Sequence, residues 1–171
     1  MVKENSEFEY LKTSLLSKED LQKRIDKEKK KSLLSSLFII HGYMEAVLVD
    51  WFNYCGKGKP KEISDEIQKS IERIGFITFI QLHLSMGNIS QELYAKMKKF
   101  NTARNDLAHG IRDINFESKK TQKGLERNIN GGIKIYSELF DSYQEILDKQ
   151  SKKFLTDSSG KPFVLGKSKL G

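Results

Sequence analysis

Residues 32–55 read SLLSSLFIIHGYMEAVLVDWFNYC, the most apolar stretch of a 171-residue chain. Leu33, Leu37, Ile40, Met44, Val47 and Trp51 recur at steps of four and three, the spacing of a helix buried along one side. His41, Glu45 and Asp50 interrupt the run, so it predicts a core helix and not a membrane span. Upstream, Lys18 to Lys31 mixes seven basic with four acidic residues, a solvated helical face. Ser17 ahead of Lys18-Glu19-Asp20 has the form of an N-cap with acids in the first turn. One long helix from residue 18 to about Tyr54 is the expectation, preceded by a short amphipathic piece around Phe8, Leu11, Leu15 and Leu16.

Downstream, Cys55-Gly56-Lys57-Gly58-Lys59-Pro60 is the first clear loop. Ser64 is a candidate cap for a helix carrying Ile67, Ile71, Ile74 and Ile77 to about Met86, where Gly87-Asn88 breaks it. Ser90 caps the next helix, with Glu92 behind it and an end near His109-Gly110. A last helix begins after about Ser118 and carries Leu125, Ile129, Tyr136, Leu139, Tyr143 and Ile146. Its Gly131-Gly132 is either a weak point or a place of close helix contact. Periodicity stops past Leu155, and only Phe163-Val164-Leu165 hints at a strand. The expected fold is all-α, an antiparallel bundle of four to five helices spanning 1–155, with a flexible basic tail at 156–171.

Composition sets the outer limits. A hydrophobic share of 37% beside 31% charged residues suits a soluble helical domain and excludes a disordered chain. The single cysteine, Cys55, excludes a disulfide framework or Cys-based metal site and points to a reducing, cytoplasmic compartment. The opening MVKENSEFEYLK lacks the apolar core of a secretory signal. Thirty basic against 23 acidic residues give a net charge of +7. Residues 149–171 hold six Lys and one Asp, so +5 of that charge sits in the tail and +2 in the remainder. The charge permits a phosphate-rich partner, with the tail attracting RNA or docking an acidic protein.

The third helix carries the chemistry. Leu93, Met97, Phe100, Arg104, Leu107 and Ile111 share one stripe, so an always-charged guanidinium stands at an apolar position and needs water, an anion or a partner. His109 follows five residues later, about 140° round and about 7.5 Å along an ideal helix. One helix does not set the two side by side, but two copies across a two-fold axis would place two Arg and two His in one cleft. Asn105, four residues before His109, can orient it. Histidine exchanges protons near neutral pH, and arginine forks onto phosphate and stabilises charge developing there. Together they suit RNA cleavage by the 2′-hydroxyl, with no metal required. The plainer alternative has Arg104 bonding to carbonyls or to Asp106, and His109 capping the helix.

Arg104-Asn105-Asp106-Leu107-Ala108-His109-Gly110 resembles the R-x-x-x-x-H motif of the HEPN superfamily. Ile89 to Leu93, Met97, the long early helix with Glu45 and the long closing helix also match that family's layout, over about residues 18–155. The resemblance implies a homodimeric, metal-independent endoribonuclease of toxin–antitoxin or defence type, without cofactor, cutting single-stranded RNA. It implies a composite site with His109 as general acid/base, Arg104 as phosphate binder and Asn105 positioning either. It leaves room for a cognate antitoxin, and for a non-catalytic HEPN module that binds RNA, a nucleotide or a protein. Members controlled through a modified Tyr two residues beyond the His differ here, where that position is Ile111.

Other candidates read more plainly. Gly56-Lys57-Gly58-Lys59-Pro60-Lys61 lacks the G-x-x-x-x-G-K-[ST] pattern and a preceding strand, and reads as a solvated basic turn. His41 and His83 read as satisfied core or groove-lining histidines, not metal ligands. Glu45 is either an ion-pair partner for Arg104 or a catalytic group. Trp51, Tyr43 and Tyr54 read as core or dimer-interface aromatics.

Overall fold

The computed structural model describes residues 17–55, 74–110 and 114–154. Five helices account for most of them: α1 Lys18–Lys29, α2 Leu33–Cys55, α3 Phe76–Ser85, α4 Gln91–His109 and α5 Lys119–Phe154. The described residues contain no strand, so the expected all-helical class holds. The expectations for Phe8 to Leu16, the Gly56–Lys61 turn, Ser64, Ile67, Ile71, Ile111, Phe163–Leu165 and the 156–171 tail lie outside the described residues.

The expected long first helix is two helices. Ser17 caps α1 as read, its hydroxyl accepting from Asp20 N at 3.2 Å. After Lys29 the chain turns, with Lys31 N and Ser32 N both donating to Glu28 O at 2.8 Å. Ser32 Oγ then accepts from Ser35 N at 3.2 Å and opens α2. A hydroxyl that satisfies a first-turn amide lets a new helix start where no Gly or Pro marks a break. The break folds α1 back, so that Leu21 and Ile25 are fully buried and Lys29 Nζ donates to Asn130 Oδ1 of α5 at 3.1 Å.

α2 packs most extensively on α5 and also touches α1, α3 and α4. Leu37, Ile40, Met44, Val47 and Trp51 of the predicted stripe are buried, together with Leu48. By length and composition Leu33–Phe52 would also cross a membrane. In this fold its apolar face is covered by the other helices, each such side chain contributing roughly 1.5–3 kcal/mol of burial.

The expected helix does not run unbroken through Gly75: α3 begins at Phe76 behind it, and the expected stretch from Ser64 to residue 73 lies outside the described residues. It ends as expected at Gly87, whose φ of +72° is the left-handed conformation that favours glycine. Asn88 N donates to His83 O at 2.9 Å and Gly87 N to Leu84 O at 3.0 Å, the paired bonds of a Schellman closure. Ser90 Oγ accepts from Leu93 N at 3.1 Å and opens α4 as read. Lys96 ties α4 to α5 through Glu138 Oε2 at 2.9 Å, while also reaching Glu92 Oε1 at 2.8 Å.

Gly132 is a point of close contact. A Cβ built there would lie 2.5 Å from Phe100 Cε2 and 3.1 Å from Ile40 Cγ2. The missing side chain lets α2, α4 and α5 meet at one point.

Candidate functional site

Where α2, α3 and α4 converge, a cleft of about 280 Å³ is lined by His41 and Glu45 of α2, by Gly75 to Thr78 at the start of α3, and by Asn101, Arg104 and Asn105 of α4. The periodicity of α4 creates it. Leu93, Met97 and Phe100 turn into the core, and the next position on the stripe, Arg104, emerges at the end of that apolar face. Asn101 lies beside Phe100, only 6% exposed, and brings an amide into the same wall.

Arg104 is half-buried. Its Nη1 donates to Asn105 Oδ1 at 2.6 Å, and its guanidinium carbon stands 5.1 Å over the ring of Phe38. Its Nε is buried with no acceptor. Among the described residues no carboxylate comes within ion-pair distance, so neither Asp106 nor Glu45 is in contact with it. A guanidinium stacked on a ring and steered by a neighbouring amide is held ready for an anion.

Glu45 was read as a possible partner of Arg104, and its closest partner is His41, with Oε2 3.5 Å from Nδ1. The hydrogen bond from His41 holds the Glu45 carboxyl below the ordinary carboxylate value against its partial burial, and the charge of Arg104 adds to the effect. His41 itself is 3% exposed; its Nε2 lies 3.0 Å from Asn101 Oδ1 and its ring 4.4 Å from that of Phe76. The imidazole therefore bridges α2 to α4 and sets Glu45 on the cleft wall. Reading His41 as a satisfied, groove-lining histidine agrees with this arrangement.

His83 is a core group. Asn88 Nδ2 donates to its Nδ1 at 3.0 Å, its Nε2 donates to Leu48 O at 3.0 Å, and Phe79 and Trp51 pack on the ring. Burial pushes its pKa down to about 4, against the pull of the Leu48 carbonyl. Tyr43 and Trp51 are buried as expected.

Of the three residues singled out in α4, Arg104 and Asn105 share the cleft and a hydrogen bond. Asn105 steers Arg104 and not His109. His109 is the exposed last residue of α4, outside the cleft, where Gly110 N closes the helix onto Asp106 O at 2.8 Å. A single protomer thus does not unite Arg104 with His109, as the helical angle between them requires. Among the described residues, no three His, Cys, Asp or Glu side chains cluster as metal ligands.

The spacing of α4 did not reveal Phe38, Asn101 or the start of α3. Phe38 could have been found as a large apolar residue off the α2 stripe; it is 38% exposed. Asn101 and residues 75–78 carry no sequence signal, because their role comes only from which helices meet. Comparison with protein-family models, with curated proteins and with solved structures returns no match for this chain.

Proposed function

We propose that this chain is a metal-independent endoribonuclease of HEPN type that cuts single-stranded RNA as a homodimer. The observation that carries the reading is Arg104: a guanidinium lining a polar cleft, held by Asn105 and Phe38, with no carboxylate of the described residues in ion-pair contact with it. Phosphate is the anion its fork fits. His109 leaves the same helix end exposed, open to a second copy, which would supply the proton-transfer group the cleft receives from no residue of its own α4.

In the proposed reaction a base, His109 in one protomer, removes the 2′-hydroxyl proton. The freed oxygen forms a bond to the adjacent phosphorus while the bond from phosphorus to the 5′-oxygen breaks. The second His109, in its imidazolium form, protonates that leaving oxygen. The products are a 2′,3′-cyclic phosphate and a 5′-hydroxyl end. Arg104 binds the phosphate and stabilises the charge that builds on its oxygens in the transition state. Asn105 keeps the guanidinium aimed. The setting that accompanies this reading is a cytoplasmic toxin or defence protein restrained by a cognate antitoxin.

Cleavage of single-stranded RNA in EDTA tests the proposal. Arg104→Ala and His109→Ala should each lower the rate by about 10²–10⁴-fold. Full activity in either variant overturns it. A second reading, a non-catalytic module that binds RNA, a nucleotide or a protein, is favoured by one observation, the separation of Arg104 from His109 within the protomer. It is the answer if RNA binds through Arg104 and no variant or condition yields turnover.

A further inference from the structure

The exposed face of α5 is divided by charge. Residues 119–134 hold five bases, Lys119, Lys120, Lys123, Arg127 and Lys134, against one acid, Glu126. Residues 135–148 hold four acids, Glu138, Asp141, Glu145 and Asp148, and no base. On an ideal helix Lys120, Lys123, Arg127 and Lys134 fall within about 60° of arc, and Glu138, Asp141 and Glu145 continue the same stripe. The acids of that stripe are answered inside the molecule: Lys96 reaches Glu138, Lys18 reaches Asp141 and Lys149 reaches Glu145. The bases are not. All five are exposed, and among the described residues no carboxylate lies within ion-pair distance of any of them. The order is also the reverse of what the helix macrodipole favours, which is acids at the N-terminal end and bases at the C-terminal end. α1 and α4 follow that preference, with Glu19 and Asp20 or Glu92 in their first turns, whereas α5 has no acid in its first turn.

A second element extends the patch. α1 lies antiparallel to α5, with Lys18 at Asp141 and Lys29 Nζ donating to Asn130 Oδ1 at 3.1 Å. The chain beyond Lys29 therefore leads toward the start of α5. The next two residues, Lys30 and Lys31, are both exposed and have no ion-pair partner among the described residues. We propose that the first half of α5, flanked by this end of α1, is a docking track for the phosphate backbone of single-stranded RNA. None of its residues lines the Arg104 cleft. The choice of RNA over another polyanionic strand rests on the ribonuclease reading. Charge complementarity fits a polyanion. A protein partner would need an apolar centre, and the track offers none. The large exposed apolar side chains of the described residues are Phe38 and Met86, neither of them on α1 or α5. Lys119, Lys123 and Arg127 stand four residues apart, about 6 Å of rise at each step, a row of donors that a strand can follow. Such charges grip phosphates without reading bases, so the track retains a long strand while the cleft acts on one linkage.

The test measures binding of a 2′-O-methyl oligouridylate to the full chain by fluorescence anisotropy. That strand keeps the phosphates and lacks the free hydroxyl that cleavage needs. Lys119→Gln/Lys120→Gln/Lys123→Gln/Arg127→Gln removes the charge of the track and keeps good helix formers at exposed positions. Its affinity at low salt should fall about tenfold or more, and the dependence of log Kd on log salt should become shallower by about 2–3. Lys23→Gln/Lys27→Gln/Lys98→Gln/Lys99→Gln takes the same charge from exposed positions elsewhere on α1 and α4, and should keep affinity within about threefold. Equal losses in the two variants overturn the inference, because net charge alone would then account for binding. Wild-type affinity in the track variant overturns it too, as does the absence of saturable binding to the wild type. If the track variant keeps its affinity for the strand but loses affinity for polyglutamate, the occupant is an acidic protein and the RNA track falls. Should the fourfold variant not fold, Lys119→Gln/Lys120→Gln should still weaken binding about threefold, and unchanged affinity counts against the track. The ribonuclease reading is judged apart, by cleavage of unmodified RNA. Wild-type cleavage in Arg104→Ala ends that reading, whereas binding of the uncleavable strand by the track variant decides this one.

Discussion

Arg104 and His83 show opposite answers to the same problem, a charge-capable group placed among apolar neighbours. His83 gives up its charge: with an acceptor for one ring nitrogen, a donor for the other and aromatic rings around it, the neutral form is the one the core holds. Arg104 cannot do so, and finds a ring, an amide and the cleft instead. The His83 arrangement predicts a pH dependence. Its pKa is about 4 in the folded protein against 6.5 ordinarily. Between those values the unfolded chain takes up a proton that the folded one refuses, so this contribution is complete above pH 6.5 and lost as pH falls towards 4. At pH 5 the protein should be less stable than at pH 7 by about 2 kcal/mol from this group. Urea denaturation at the two pH values measures it, and His83→Gln should flatten the slope; an unchanged slope in the variant would assign the effect elsewhere. The same neighbours explain what the sequence could disclose. That Arg104 interrupts an apolar stripe is visible in a spacing of three and four. That Phe38, His41 and Asn101 surround it depends on how α2 crosses α4, for which one-dimensional periodicity has no sign.

At the scale of the elements, α4 was the most legible and the first helix the least. Ser90, the stripe Leu93, Met97 and Phe100, and the closing His109-Gly110 give α4 a start, a face and an end, and all three stand as read. Between Lys18 and Cys55 every residue tolerates a helix, so nothing in propensity separates α1 from α2. The separation comes from Ser32 competing for an amide and from the burial that α1 gains by folding back, both decided by the tertiary structure. Ile74 and Ile77 continued a helical pattern leftward, yet α3 starts only at Phe76, because Gly75 leaves the helical conformation. Gly131-Gly132 left two readings open, and the contact of Gly132 with Phe100 and Ile40 selects close approach. Gly132→Ala should accordingly destabilise the fold by about 1–3 kcal/mol through overpacking, although alanine is the better helix former. Chemical denaturation checks the sign; a stabilised variant would mean the helix interior, not the junction, governs this position. Gly131 has nothing within 4 Å of a built Cβ, and serves as the matched control, with Gly131→Ala neutral or stabilising.

Taken whole, the described fold is a pair of long helices, α2 and α5, with α1 strapped across one side and the α3–α4 hairpin across another. The cleft opens between α2 and that hairpin, so two of its walls belong to an element pair that shares the turn at Gly87 and packs together, with Gln81 Nε2 donating to Tyr94 Oη at 3.4 Å. Charge tells a similar story of separation. Most of the net +7 belongs to residues 149–171, whereas the cleft is lined by one guanidinium, Arg104, and one carboxylate, Glu45. Overall basicity is therefore a poor guide to the charge of the cleft. The Gly132 junction has a mechanical meaning as well. Phe100 rests on Gly132, and Arg104 stands one helical turn beyond Phe100 on the same side of α4. The bare backbone of α5 thus acts as a depth stop, fixing how far α4 sinks and where its guanidinium surfaces. Thickening the stop by one methyl should lift the Arg104 end of α4 like the far arm of a lever, and, on the ribonuclease reading proposed above, Gly132→Ala should lose RNA cleavage even at temperatures where it is fully folded. Shaving the ring above it in Gly132→Ala/Phe100→Leu should return part of that activity, which marks a glycine buried far from the reactants as the gauge by which the site is set.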